Sequence, residues 1–127
     1  MAGWDEILRE IQTTPGSFDV VRRKYLSKLS KYTSRNVIAY YSGFLTKLSA
    51  PNTDINDSDM SGFMNALKDI DKSKGLDLIL HTPGGNPTAA ESIVKYLRTK
   101  FNSDIRIIVP HMAMSAGTMI ACCGKCI

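Results

Sequence analysis

Ile105-Arg106-Ile107-Ile108-Val109, followed closely by Ala113-Met114-Ser115-Ala116-Gly117-Thr118, reads as a buried β-strand giving way to a helix with a serine at its start. Upstream, Leu76-Asp77-Leu78-Ile79-Leu80 is a second such strand, and it runs into His81-Thr82-Pro83-Gly84-Gly85. Asn86 and Pro87 then supply an N-cap and a first-turn proline for a helix that buries Ala90, Ile93, Val94, Leu97 and Phe101. Working further back, Met60, Phe63, Met64, Leu67 and Ile70 mark a helix stripe, capped near Asn56 or Asp57 and released at Gly75. Before it, Asn36 to Ser42 is a short β-prone run. The region from Arg35 onward thus alternates strand and helix, which implies parallel pairing through crossover helices.

Two helices precede this region. Trp4, Ile7, Leu8 and Ile11 recur at helical spacing, and the chain then breaks at Thr13-Thr14-Pro15-Gly16. Ser17 is the expected N-cap of a second helix, with Phe18, Val21, Tyr25 and Leu29 on one face. The predicted order is α-α-β-α-β-α-β-α, divided into a helical extension at residues 1–34 and an α/β region at 35–127.

The composition suits one soluble globular domain: 127 residues, 43% hydrophobic and 22% charged. No apolar run approaches the roughly 20 residues that span a bilayer, and the N-terminus lacks the pattern of a secretory signal. A cytoplasmic protein is expected. The net charge of +4 arises in the first 50 residues, chiefly Arg22, Arg23, Lys24, Lys28, Lys31 and Arg35. These residues read as a solvated helix face. No phosphate loop or aromatic platform accompanies them, so no nucleic-acid partner is expected. Cys123-Gly124-Lys125-Cys126 fits C-x-x-C, the pattern of half a zinc site or a redox pair. With Cys122 beside it and no further ligands nearby, buried or half-buried thiols are expected instead, with no metal and no cofactor.

In parallel α/β sheets, ligands bind at the carboxyl ends of the strands. Residues 81–86 and 110–115 occupy two such ends, so the topology predicts that they meet. One loop offers a hydroxyl, Ser115. The other offers glycine backbone that can approach a substrate closely. A serine nucleophile facing an oxyanion site formed by Ala116 and Gly84-Gly85 is the economical chemistry. An ordinary serine helix cap and an ordinary diglycine turn remain the competing readings.

Leu78-Ile79-Leu80-His81-Thr82-Pro83-Gly84-Gly85, with Ile107-Ile108-Val109-Pro110 and Ala113-Met114-Ser115-Ala116-Gly117-Thr118-Met119-Ile120-Ala121, resembles the Clp protease/crotonase superfamily. Within it the chain is most similar to the serine dehydrogenase proteinase family of Clp-like serine peptidases. The resemblance runs from about Arg35 to the C-terminus and takes in Tyr40-Tyr41-Ser42-Gly43 and Met60-Ser61-Gly62-Phe63-Met64-Asn65-Ala66. It implies an α/β, Clp/crotonase-like ββα spiral, here incomplete at the C-terminus, with Ser115 as nucleophile and an oxyanion hole from Ala116 and the Gly84-Gly85 loop. It also implies peptide or unfolded-protein substrates and a homo-oligomer.

Clp-like peptidases take a His-Asp pair, and related peptidases a Lys, from well downstream of the nucleophile. Ile127 looks like the start of the next strand, so the base is expected beyond it and the 127-residue chain alone is expected to be inactive. Within the chain, His111 is expected to point away from Ser115. His81 is expected to be a hydrogen-bonded core residue, and Lys125 to lie across a helix. Three alternatives share these features: a crotonase-type acyl-CoA enzyme using the same amides, an α/β-hydrolase with Ala113-x-Ser115-x-Gly117 as a variant elbow, and a non-catalytic assembly or binding module.

Overall fold

The computed structural model describes residues 3–127. They form two compact units, one ending at Ser34 and the other beginning at Arg35.

The first unit is a pair of helices, α1 (Trp4–Thr13) and α2 (Ser17–Thr33). Glu10 joins them, pairing with Lys24 and accepting a hydrogen bond from the Tyr25 hydroxyl at 3.1 Å. The expected cap at Ser17 is displaced by one residue. Gly16 holds the N-cap position with φ 71°, a left-handed turn that glycine makes without a Cβ penalty, and Ser17 is already helical.

The second unit runs β1 (Asn36–Tyr41), α3 (Asp59–Leu67), a 3-10 turn (Lys72–Lys74), β2 (Leu76–His81), α4 (Pro87–Phe101), β3 (Ile105–Ile108) and α5 (Ala116–Ala121). It is a mixed α/β unit. The three strands form one parallel sheet in the order β1-β2-β3, with Asn36 opposite Leu76 and Leu76 opposite Ile105. The central strand is the most deeply buried: Leu76, Leu78 and Leu80 are fully inaccessible, against Ala90, Ile93 and Leu97 of α4 and Ile105 and Ile107 of β3 within one core. Asn86 caps α4 as expected, its Oδ1 accepting from the N–H groups of Thr88 (2.8 Å) and Ala89 (3.3 Å).

Helix α3 is shorter than its apolar spacing predicts. It ends at Leu67, and the chain reaches β2 through the 3-10 turn, whose cap Asp71 accepts from the Ser73 N–H at 3.0 Å. Ile70 packs on the core from outside any helix.

At the amino end of the sheet, Arg35 and Arg106 converge on Asp77, which is fully buried. Their bonds to its carboxylate are 2.6 Å from Arg35 Nε, 2.7 Å from Arg106 Nε and 2.5 Å from Arg106 Nη2. Arg35 also reaches Asp104 at 2.8 Å, and Lys125 joins Asp104 at 2.7 Å. Arg35 is therefore part of a structural ion network and not of a solvated helix face. Lys125 is committed to the opposite end of the strands from the two loops of interest.

Candidate active site

The two loops do meet, through a resumption of the sheet. Regular β2–β3 pairing stops at Ile79–Ile108 and resumes at Thr82–Ala113. Two residues bridge the gap on the β2 side and four on the β3 side, so the β3 strand bulges outward. Pro110 lies in the bulge, where its lack of an N–H prevents continuation of the ladder. Beyond it, the Thr82 N–H donates to the Met112 carbonyl and the Met114 N–H to the Thr82 carbonyl, both at 3.1 Å. Ser115 is thereby delivered beside the diglycine.

The contact is close. A Cβ on Gly84 would stand 2.6 Å from the Met114 carbonyl oxygen, 2.8 Å from Ser115 Cβ and 3.3 Å from the Ala116 nitrogen. A Cβ on Gly85 would instead overlap the backbone nitrogen and oxygen of Ile55. The two glycines are required on opposite sides: Gly84 for the approach of the serine turn, Gly85 for the approach of the β1–α3 loop. Gly84 has φ 99° and Gly85 φ 150°, both outside the usual range of L-residues.

Ser115 occupies the N-cap position of α5 but does not cap it, because its side chain makes no capping hydrogen bond. Its backbone is at φ 52°, ψ −121° rather than in the extended region typical of caps. The turn is closed by other groups: the Gly117 N–H donates to the Met114 carbonyl (2.8 Å), the Thr118 N–H to the Ser115 carbonyl (2.9 Å) and the Thr118 hydroxyl to the Ala113 carbonyl (3.0 Å). The Ser115 side chain is left exposed and without a hydrogen-bond partner among the described residues.

Two amides near it are also unengaged. Ala116 opens α5, and its N–H meets no acceptor among the described residues; nor does that of Gly85. The Gly84 N–H differs, because it is taken by the Thr82 hydroxyl at 3.1 Å. Of the two glycine amides expected as donors, only that of Gly85 is available, and Gly84 contributes space. The direction of the Gly85 N–H follows from peptide geometry. No peptide bond is cis, so the Gly84 carbonyl and the Gly85 N–H point oppositely. The Gly84 carbonyl accepts from the Ile55 N–H at 2.8 Å, and the Ile55 carbonyl accepts from the Asn86 N–H at 2.9 Å. Ile55 grips the chain on both sides of Gly85, which turns the Gly85 N–H away from Ile55. Thr82 and Ile55 were not marked by sequence reasoning. A threonine two residues before Gly84 is the signal for the first, whereas nothing local announces the second.

His81 departs from expectation. Its Nδ1 is buried without a partner, and its ring stacks on Phe44 (5.3 Å between centroids) and meets His111 edge to face (5.6 Å). Neither histidine hydrogen-bonds Ser115. All three cysteines are free; Cys122 and Cys126 are exposed, against the expectation of buried or half-buried thiols, whereas Cys123 is buried, and that burial pushes its thiol pKa up. No group of three or more His, Cys, Asp or Glu side chains converges as a metal site among the described residues. No helix among them is long and apolar enough to cross a membrane.

An exposed serine, two unengaged amides and a closely packed glycine, set at the carboxyl ends of adjacent parallel strands, describe a candidate acyl-transfer site on an α/β scaffold. Comparison with known families agrees with that class. The model of the ClpP-like SDH-type serine proteinases matches residues 7–127, and the chain belongs to that family. Two uncharacterized proteins of Methanocaldococcus jannaschii are 46% and 36% identical to it, each over 63 residues, or 50% of this chain. Those stretches are 22% and 21% of the relatives' own lengths, so the match spans about a fifth of each. No solved structure matches the chain.

Proposed function

We propose that this chain carries the nucleophile and oxyanion site of a serine peptidase acting on peptides or unfolded proteins. The observation that carries the reading is Ser115 itself: a non-glycine residue held at φ 52° whose hydroxyl does no structural work. Strained backbone that presents an unspent side chain is a recurrent device of active sites. In the reaction, Ser115 Oγ attacks the scissile carbonyl carbon as a base removes its proton. The carbonyl oxygen takes up the electron pair and is stabilised by the N–H groups of Gly85 and Ala116. Collapse of this intermediate expels the protonated amine and leaves an acyl ester on Ser115, which water then hydrolyses.

A general base downstream of the nucleophile belongs to this proposal on the ground of family membership; no titratable side chain among the described residues hydrogen-bonds Ser115. The ββα spiral and self-association belong to the same proposal and rest on family membership. Treatment of the full-length protein with a fluorophosphonate tests the reading. It predicts a single modification on Ser115, abolished by Ser115→Ala. Absence of labelling, together with hydration of an enoyl thioester that survives Ser115→Ala, would replace the peptidase with a crotonase-type enzyme.

A further inference from the structure

The grip of Ile55 on Gly85 is itself held from behind. The Ile55 side chain is fully buried, which fixes how deeply the loop sits but not how its peptide planes are rotated. Rotation is set by Asp59 at the start of α3. Its Oδ2 accepts the Asn56 N–H at 3.1 Å and the Tyr40 hydroxyl at 2.6 Å. Because the Ile55–Asn56 peptide is trans, an Asn56 N–H aimed at Asp59 turns the Ile55 carbonyl the other way, onto the Asn86 N–H. Tyr40 stands on β1 opposite Leu80, and its ring is wedged edge-on against Phe63 at 4.9 Å. Burial and the neighbouring Asp59 carboxylate keep its hydroxyl protonated and donating.

We propose that Tyr40 and Asp59 are positioning residues for the oxyanion site, acting through the Ile55 and Asn56 backbone to keep the Gly85 N–H directed at the reacting oxygen. The inference rests on the peptidase reading above. A diglycine segment is the part of the backbone most free to rotate, so without a clamp its peptide planes turn and the donor is lost. Ile55 supplies the two bonds that prevent this: its N–H holds the Gly84–Gly85 peptide, and its carbonyl, oriented by the Tyr40–Asp59 pair, holds the Gly85–Asn86 peptide on the other side of the same residue. The pair touches neither the serine nor the substrate.

The test combines amide hydrogen exchange at Ile55 and Asn86 with the rate of fluorophosphonate labelling at Ser115, both on the full-length protein. Asp59→Ala is expected to speed exchange at both amides and to slow labelling about tenfold or more, short of the roughly 100- to 1,000-fold for a deleted donor. Asp59→Asn retains an acceptor for the Asn56 N–H and is expected to restore most of both. Exchange unchanged in Asp59→Ala overturns the proposal, as does faster exchange with an unchanged labelling rate. Should Asp59→Ala fail to fold, Tyr40→Phe and Asp59→Asn give the same comparison in milder form, and an equal loss in both relative to wild type would overturn the rescue on which the proposal depends. Wild-type protein that protects both amides yet does not label at Ser115 refutes the peptidase reading and, with it, the role given to the pair.

Discussion

At Ser115 the backbone adopts φ 52°, ψ −121°, a region that glycine occupies freely and serine does not. Asn102 has nearly the same angles at the end of α4, but asparagine tolerates positive φ better than most residues. Ser115 is held there by the bonds of Met114, Gly117 and Thr118 around it, and its hydroxyl contributes none of them. If the strain serves the chemistry, removing it stabilises the fold and destroys the activity. Ser115→Gly is therefore expected to unfold at a higher temperature than Ser115→Ala, by an equivalent of about 1 kcal/mol, with neither variant labelled by a fluorophosphonate. Thermal melts of the two variants check this. Ser115 and the diglycine were legible in the sequence because turns of this tightness restrict the residues that form them. That the Gly84 amide is already occupied was not legible, because it depends on a hydroxyl folding back onto its own turn. The unpartnered Nδ1 of His81 was equally hidden, since the rings around it, those of Phe44 and His111, come from other segments of the chain.

Among the elements, α4 ties the core to the candidate site, because its N-cap, Asn86, directly follows Gly85. Asn86 both caps this helix and donates its own N–H to Ile55. Replacing it with alanine keeps the second bond and removes the first, at a cost of about 1 kcal/mol, measurable by denaturant unfolding, with labelling at Ser115 retained. The strands and α4 follow their sequence patterns to within a residue or so, since apolar runs flanked by glycine, asparagine and proline leave few alternatives. Helix α3 does not. The apolar period continues to Ile70, but Asp71 captures the Ser73 amide and imposes a tighter turn before β2. The long excursion between Tyr41 and Asp59 carries no strand or helix pattern of its own. Its return to pair Ile55 with Gly85 is a tertiary event that no local pattern encodes.

For the molecule as a whole, the sheet is anchored at one end by charge and carries the candidate site at the other. Burial works to raise the Asp77 pKa, but hydrogen bonds from Arg106 and Arg35, reinforced by their charges, outweigh it and hold the carboxyl below its usual range. A carboxylate depressed in the folded state contributes stability above its unfolded pKa, near 4, and loses it as pH falls through the folded value. Wild-type stability is thus expected to drop on acidification below about pH 4. Asp77→Asn should show a shallower drop and, at neutral pH, a deficit of about 3 kcal/mol, read from urea unfolding across pH. The sequence reading put Arg35 in a solvated basic face because its buried carboxylate partner, Asp77, lies 42 residues away.

The central claim is that Ser115, Gly85 and Ala116 act on one carbonyl. A crystal structure of the full-length protein with a peptide boronate tests it most directly. A boron–oxygen bond to Ser115 Oγ is expected, with one boronate oxygen about 2.7–3.1 Å from both the Gly85 and Ala116 nitrogens. A boronate bonded elsewhere, or bonded to Ser115 with its oxygens turned away from those two amides, would contradict it.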